Sequence, residues 1–494
     1  MSTRSPSLFL VLALALCVFM PSAQSLWIDE AQTWSFASVP TVGGLFSELS
    51  TTKKSEGLMP LGMLAAWLEI RVLGTGEWQL RATNILWAAA ATGAFFVLGR
   101  RWRVPWAPLF LAVQPFLWYY VNEARPYVLQ MAASAWLLAG FVSCVEDRRL
   151  DRSVLIVLLV SSCVLVATVL FGILTAGPVC LLVVWFAWRE RWPLAKGWKI
   201  AVVFAFVWSA LLGLYYLRAV THGAAGAKLW DVGLQNVAFA FYEFLGMSGL
   251  GPSRYEIRAM ARSGGIGGVL QGFPPSAYAA MATLALCYLA AAITFLRGRG
   301  KSDRRMLWII GGLAALSGGS LVVLALAAHF PFWGRHLAPA FPFFCGFLVL
   351  VLRDLKARNK TLAAVVVFAF FILLGISSWA LRLSPRHGKD DYRGAAAAAQ
   401  RALKEGRTVW WCADMETARY YGIPSVDDRE MPGSIVFANG LSAETLAGLP
   451  PPDLILLSKP DIFDANGVVA HYARQRGFVS DGRLHAFETL SPSH

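Results

Sequence analysis

Apolar runs of about twenty residues, the length that crosses a bilayer, recur through residues 1–382 with short polar stretches between them. They predict spans near 7–24, 81–99, 104–120, 127–145, 153–170, 171–188, 198–218, 276–297, 306–329, 334–352 and 361–382, which is about eleven helices. The shorter apolar stretch 58–74 carries Glu69 and Arg71. Ionisable groups are costly at the bilayer centre, so this stretch is predicted to lie in the interface as an amphipathic helix. Beyond residue 383 the pattern changes. Residues 390–406 read as an amphipathic helix, Thr408–Cys412 as a strand and 415–422 as a helix. Leu454–Leu457 reads as a buried strand and 485–490 as a closing strand. The predicted fold class is an α-helical polytopic membrane protein, residues 1–382, with a small C-terminal α/β domain over 383–494.

Charge orients this pattern. The chain is 57% hydrophobic and 15% charged, against about 25% charged in ordinary globular domains. Its net charge of +14 would raise nucleic-acid binding in a soluble protein. Here the basic residues fall into bursts between apolar runs, at Arg100–Arg103, Arg148–Arg152, Arg189–Lys199, Arg297–Arg305 and Arg353–Lys360. They read as topology signals, and no nucleic-acid partner is expected. Placing every burst on the cytoplasmic side satisfies the positive-inside rule. The first run follows Arg4 and reads as a signal anchor rather than a cleaved leader. An odd number of spans then leaves the C-terminal domain outside the cytoplasm, with outer loops at 25–80, 121–126, 219–275 and 330–336. Long ordered loops are disproportionately functional, so chemistry is expected on the outer face. Six of the seven cysteines lie in or beside apolar runs, and no CxxC or HExxH spacing points to a structural metal.

Three outer stretches hold the candidate chemistry. Asp29 and Glu30 follow the first span directly. They suit the positive end of an interfacial helix as caps, and equally a general base held at the membrane surface. Glu123 and Arg125 sit in the short loop Asn122–Tyr127, where they pair, snorkel or serve function. Arg335 and His336 lie in the loop Phe332–Pro339. The planar fork of Arg335 suits phosphate, while an interfacial anchor among aromatics is its structural alternative. Lys53 and Lys54, with Glu56, precede the interfacial helix as a solvated turn or a phosphate contact.

Together these stretches resemble membrane glycosyltransferases of the GT-C superfamily. The likeness is to the branch of protein O-mannosyltransferases and lipid A aminoarabinose transferases, and it covers roughly residues 8–385. Trp27-Ile28-Asp29-Glu30-Ala31 matches the family's Trp-x-Asp-Glu-Ala stretch after the first span, and Met59-Pro60-Leu61-Gly62 its Pro-led interfacial helix. Gly74 to Arg81 matches a Gly-x-x-Glu…Leu-Arg element. Glu123 to Tyr127 matches a Glu-Ala-Arg-x-Tyr loop, and Arg335-His336-Leu337-Ala338-Pro339 a late Arg-Tyr-Leu-x-Pro element. The family's His-Pro-Pro before the interfacial helix is here Leu58-Met59-Pro60, and its late Tyr is His336.

The resemblance implies a polyprenyl-phosphate sugar donor and inverting transfer to a protein, lipid or glycan acceptor at the outer face of a cell inner membrane. It implies catalytic roles for Asp29, Glu30 and Glu123, and donor-phosphate roles for Arg125, Arg335, His336, Lys53 and Lys54. Members of the branch occur with and without a divalent metal, and the sequence leaves that cofactor open. A transporter or flippase of a lipid-linked or polar substrate is the competing function. It predicts internal repeats and mid-span ionisable residues, whereas the candidates here cluster at one interface. A non-catalytic scaffold on the same fold is the third reading.

Overall fold

The computed structural model describes residues 5–224, 233–297, 301–330, 332–424 and 432–492. Arg4 and residues 298–300 of the burst Arg297–Arg305 lie outside the described residues. The chain divides into two compact units. One comprises Met1–Ser22, Val39–Gly74 and Trp78–His387; the other comprises Ala23–Ser38, Thr75–Glu77 and Gly388–His494.

The first unit is helical. In chain order its helices are α1 (Ser5–Phe19) and, beyond α2 (Ile28–Ala37) of the other unit, α3 (Val42–Thr51), α4 (Pro60–Leu73), α5 (Gln79–Trp102), α6 (Ala107–Ala112) and α7 (Pro115–Val121). Then come α8 (Tyr127–Asp147), α9 (Arg152–Thr168), α10 (Ile173–Arg189), α11 (Trp198–Thr221), α12 (Leu234–Phe244) and α13 (Arg254–Gln271). The series ends with α14 (Pro275–Leu296), α15 (Lys301–Ala328), α16 (Phe341–Arg358) and α17 (Lys360–Leu383). Among the described residues seven helices are long and apolar enough to cross a bilayer: α5, α8, α10 with its leading turn, α11, α14, α15 and α17. Helices α1 and α9 are apolar but shorter. The chain is therefore a multi-pass membrane protein. Helix α8 runs through the middle of this unit with 89% of its apolar window buried, whereas α11 has 6% buried. Ile200, Phe206 and Leu214 of α11 are exposed, as an apolar lipid-facing surface requires.

The predicted span 104–120 is not one helix. It breaks between α6 and α7, because Pro115 biases its predecessor away from helical geometry and Gln114 is extended, with ψ 123°. The freed carbonyls find partners inside the protein, as backbone at membrane depth must. The Trp118 indole donates to the Ala112 carbonyl at 2.6 Å, and the Ser378 hydroxyl to that of Val113 at 2.8 Å. Likewise the predicted span 334–352 opens late. Residues Gly334–Leu337 form a 3-10 turn, and α16 starts at Phe341 with Pro342 in its first turn.

The second unit holds α18 (Tyr392–Lys404), β1 (Thr408–Cys412), α19 (Met415–Tyr420), β2 (Ser434–Phe437), α20 (Ala443–Ala447), β3 (Leu454–Ser458), α21 (Pro460–Phe463), α22 (Val468–Gln475), β4 (Phe478–Ser480) and β5 (Phe487–Pro492). The sheet order is β2-β1-β3-β5-β4. Strands β2, β1 and β3 are parallel, while β5 runs antiparallel to both β3 and β4. Parallel strands are covered on both faces, which explains the unbroken apolar runs of β1 and β3. Val409 and Trp411 pack with α18 on one face, and Trp410 and Cys412 pack with Val469 and Ala473 of α22 on the other. Helix α18 starts where Asp391 accepts from the Gly394 N–H at 2.9 Å, and it lays Ala395, Ala399 and Ala402 on the sheet. The short strands β2 and β4 are additions to the predicted pattern.

Asp414 caps α19, accepting from the backbone N–H and hydroxyl of Thr417 at 2.7 and 2.6 Å. Burial raises its carboxyl above the ordinary value, outweighing those two bonds. The folded state thus holds this proton more tightly than the unfolded chain. The stability it contributes is complete below the ordinary aspartate pKa and is lost as pH rises through the raised one. Asp414→Asn keeps a capping acceptor and removes the titration. Its melting temperature relative to wild type should therefore climb as pH is raised from about 4 to 7, read by thermal denaturation of the full-length protein. Parallel pH profiles for the two proteins would contradict this.

Candidate functional site

In the membrane unit the loop Asn122–Pro126 is fixed from several sides. The Asn122 amide donates to the carbonyls of Met20 and Trp118 at 2.9 Å, and its oxygen accepts from the N–H and hydroxyl of Ser22 at 2.6 and 2.7 Å. Asn84 of α5 donates to the carbonyls of Val121 and Glu123 at 3.2 and 2.7 Å. Buried Arg81, from the same helix, donates to the Ser22 carbonyl at 3.2 Å. Helix α4 comes so close that a Cβ on Gly62 would lie 2.6 Å from the ring of Pro126, so only glycine fits there. Arg125 forms an ion pair with Glu56, and both side chains are fully enclosed. Glu56 belongs to the 3-10 turn Ser55–Leu58, whose Gly57 carbonyl accepts from the Tyr215 hydroxyl of α11 at 3.0 Å. Lys53 is exposed and Lys54 half-buried, just ahead of this turn.

Glu123 is buried within the same unit, in the electrostatic field of Tyr119 and Tyr120 at the end of α7. That field also includes Glu243 of α12 and Arg254 of α13. Arg254 Nε donates to Glu243 Oε1 at 2.6 Å, and its guanidinium lies 4.5 Å over the Tyr119 ring. The turn Gly334–Leu337 closes on this cluster. A Cβ on Gly334 would fall 2.5 Å from Glu243 Oε2 and 3.2 Å from the Tyr120 hydroxyl. Arg335, half-buried, is the next residue. His336 Nδ1 accepts from the Trp333 N–H at 3.1 Å, and its ring sits among Phe171, Phe330 and Phe332. The structure thus brings Glu123 and the Arg335 turn together around an acid–arginine pair.

Asp29 and Glu30 belong to the other unit, in the first turn of α2. Glu30 is fully buried, pairs with Lys389 Nζ at 2.7 Å and accepts from the Trp27 N–H at 3.3 Å. That is the capping role. Asp29 stays half-exposed, and its carbonyl accepts from the Thr33 hydroxyl at 3.0 Å. Adjacent helical residues point about 100° apart, so one acid is enclosed while the other stays half-exposed.

No family model matches the chain, and no curated protein does. Among solved structures the chain is similar to ArnT from Cupriavidus metallidurans bound to undecaprenyl phosphate, with 13% identity and a TM-score of 0.47. The apo state of that protein gives 15% and 0.45; in each case 98% of this chain and 97% of the other are covered. The arabinofuranosyltransferase AftD from Mycobacteria is similar over all of this chain and 42% of its own, at 14% identity and a TM-score of 0.41. At these values the likeness leaves the chemistry of the site to the residues themselves.

Glu243 and Arg254 are additions to the residues singled out by sequence. The available signal lay beside them, in Ser253-Arg254-Tyr255-Glu256, which forms a reciprocal capping box at the start of α13: Ser253 N–H to Glu256 at 2.8 Å and Glu256 N–H to the Ser253 hydroxyl at 3.3 Å. Among the described residues no three His, Cys, Asp or Glu side chains converge as metal ligands would.

Removing one partner of a buried ion pair strands the other charge, at a cost of about 3–5 kcal/mol. Glu56→Ala should therefore lower the stability of the detergent-solubilised protein by about that amount, and Glu56→Leu combined with Arg125→Met should recover most of it. Thermal unfolding measures both. A Glu56→Ala protein as stable as wild type would remove this pair from the framework of the loop.

Proposed function

We propose that the protein is an inverting glycosyltransferase that takes a sugar from a polyprenyl-phosphate donor and passes it to an acceptor on the outer face of a cell inner membrane. The observation that carries this reading is the convergence, in the membrane unit, of the short loop after α7 and the Arg335 turn on Glu243 and Arg254. Loops distant in sequence and assigned to one face by charge alone meet there. The resemblance of these same stretches to GT-C enzymes supports the chemistry.

In this reading an isoprenoid tail stays in the bilayer and leaves its phosphate at headgroup level. Arg335, a permanent cation with a fork suited to two phosphate oxygens, is the principal phosphate ligand. Arg125, committed to Glu56, shapes the loop and adds to the local potential, and His336, Lys53 and Lys54 are further contacts. Asp29 takes the proton of the acceptor hydroxyl as its oxygen attacks the anomeric carbon. The bond from that carbon to the phosphate oxygen breaks on the opposite side, and the configuration inverts. Polyprenyl phosphate leaves as an anion whose developing charge fixed arginine donors stabilise. Glu30 holds the helix turn that carries Asp29, and Glu123 orders the cluster beside Arg335.

Transport is the weaker reading. Transporters use broken helices to offer open backbone groups to a substrate or ion. At the break between α6 and α7 the carbonyls of Ala112 and Val113 are already taken by Trp118 and Ser378.

Purified protein incubated with a panel of polyprenyl-phosphate sugars should release polyprenyl phosphate from at least one of them. With that donor, Asp29→Asn should slow release by about 10²–10⁴-fold and leave donor binding intact. Arg335→Ala should weaken binding of polyprenyl phosphate, with Arg335→Lys restoring it in part. Release from no donor, or full activity in Asp29→Asn, would sink the mechanism. Unchanged lipid-phosphate binding in both Arg335 variants would remove its main cation.

A further inference from the structure

Open α/β sheets bind their ligands outside the carboxyl ends of the strands, at the point where the strand order reverses. In the C-terminal sheet that point lies between β1 and β3. The chain leaves β1 for β2 on one side and returns to β3 on the other. Asp414 follows β1 there, and Ser458 and Lys459 close β3. Lys459 has a positive φ of 41°, a conformation that a non-glycine residue holds only when its surroundings impose it.

What lies against these strand ends is a segment of the chain itself. Lys459 Nζ stands 4.9 Å from the Trp27 ring centroid and pairs with Asp390 at 2.6 Å. Lys389 Nζ is 6.0 Å from the same ring and pairs with buried Glu30 at 2.7 Å. Trp27 and Ile28 pack on the core cluster of Tyr392, Trp411, Ala413 and Phe487. About two turns along α2, Trp34 meets Tyr420 of α19 edge-on at 5.2 Å. All of these residues belong to one compact unit.

We infer that the C-terminal sheet is a holder for the Asp29 segment: its switch-point crevice takes Trp27–Glu30 as an internal ligand, and Lys389, acting through Glu30, is a positioning residue for Asp29. The inference rests on the assignment of Asp29 as the base. Glu30 turned inward to Lys389 leaves its neighbour Asp29 on a different side of the helix, half-exposed. The cation therefore fixes the rotation and entry angle of α2 without touching a reacting atom. Without Lys389, the enclosed Glu30 carboxylate loses its ion-pair cation and swings out or takes up a proton. The first turn of α2 then loosens, and Asp29 loses its aim. A misplacement on the scale of 1 Å is enough to slow a reaction about 10²-fold.

The test uses the full-length protein and two independent readouts, hydrogen exchange and turnover of a polyprenyl-phosphate sugar that wild type consumes. Lys389→Met should speed exchange over residues 27–37 while peptides of β1 and β3 keep their protection. Turnover should fall on the order of 10²-fold with the donor KM changed by less than about twofold. Lys389→Arg should restore most of both, and Glu30→Gln with Lys389→Met should be no worse than Lys389→Met alone. Wild-type exchange over 27–37 in Lys389→Met overturns the inference. If that variant also loosens β1 and β3, Glu30→Gln, which keeps the side chain's shape, decides by the same exchange readout. Faster exchange in Lys389→Met together with full activity in Asp29→Asn would keep the holder and discard the base.

Discussion

A charge or an open backbone group inside a bilayer has no water to turn to, so its partner has to be supplied by the protein. The membrane unit is organised by that constraint. Pro115 breaks a helix, and Trp118 and Ser378 take the carbonyls it frees. Arg125 is enclosed, and Glu56 on a separate loop is enclosed with it. A buried pair of this kind adds little net stability over an apolar contact. It does, however, penalise heavily any arrangement in which the two loops separate. Its yield is specificity: the loop Asn122–Pro126 has one position relative to α4 and α5, held by Asn84, Asn122 and the missing side chain of Gly62.

The second unit applies the same logic with the chain cut into pieces. Ala23–Ser38 and Thr75–Glu77 are separated in sequence from the sheet they join. Charge and hydrogen bonding tie them down. The Arg393 guanidinium grips both oxygens of Glu77 and donates to the Ala23 carbonyl at 2.7 Å. The Tyr421 hydroxyl donates to Glu77 and accepts from the Leu26 N–H at 2.7 Å. Two acids in motif-like stretches, Glu77 and Glu30, are therefore anchors. Asp29, half-exposed beside buried Glu30, is the one whose position these anchors control.

What could be read from the sequence follows from the range of the interaction involved. Apolar runs are a local property, and α5, α8, α11, α14, α15 and α17 stand where those runs predict them. Strands β1 and β3 were legible for the same reason, as short apolar runs too brief for helices. The break at Gln114 was signalled by Pro115, but a run of lipid-like hydrophobicity masked it. The 3-10 turn before α16 was hidden in the same way, with Pro339 and Pro342 as its local marks. Pairings across long separations left no such trace. Glu56 with Arg125, Glu30 with Lys389 and Glu77 with Arg393 each link residues that periodicity cannot relate. Glu243 and Arg254 lay in a stretch read only as a long outer loop, although the capping box at Ser253 and Glu256 marks a helix start within it.

Gly334 shows how such distant pieces become one local geometry. The Glu243 carboxylate and the Tyr120 hydroxyl fill the space a side chain at 334 would need. Any other residue there would push the turn away from α12 or drive Glu243 off Arg254. Glu243 in turn is held by Arg254, and Arg254 by the face of Tyr119. Tyr119 and Tyr120 end the short helix that Pro115 begins. The setting of Arg335, one residue past Gly334, therefore depends on a proline far away in sequence. It depends equally on a glycine whose contribution is the absence of an atom. The backbone of Arg335 is thus placed by packing around uncharged residues, and the charges of Glu243 and Arg254 hold that packing in place.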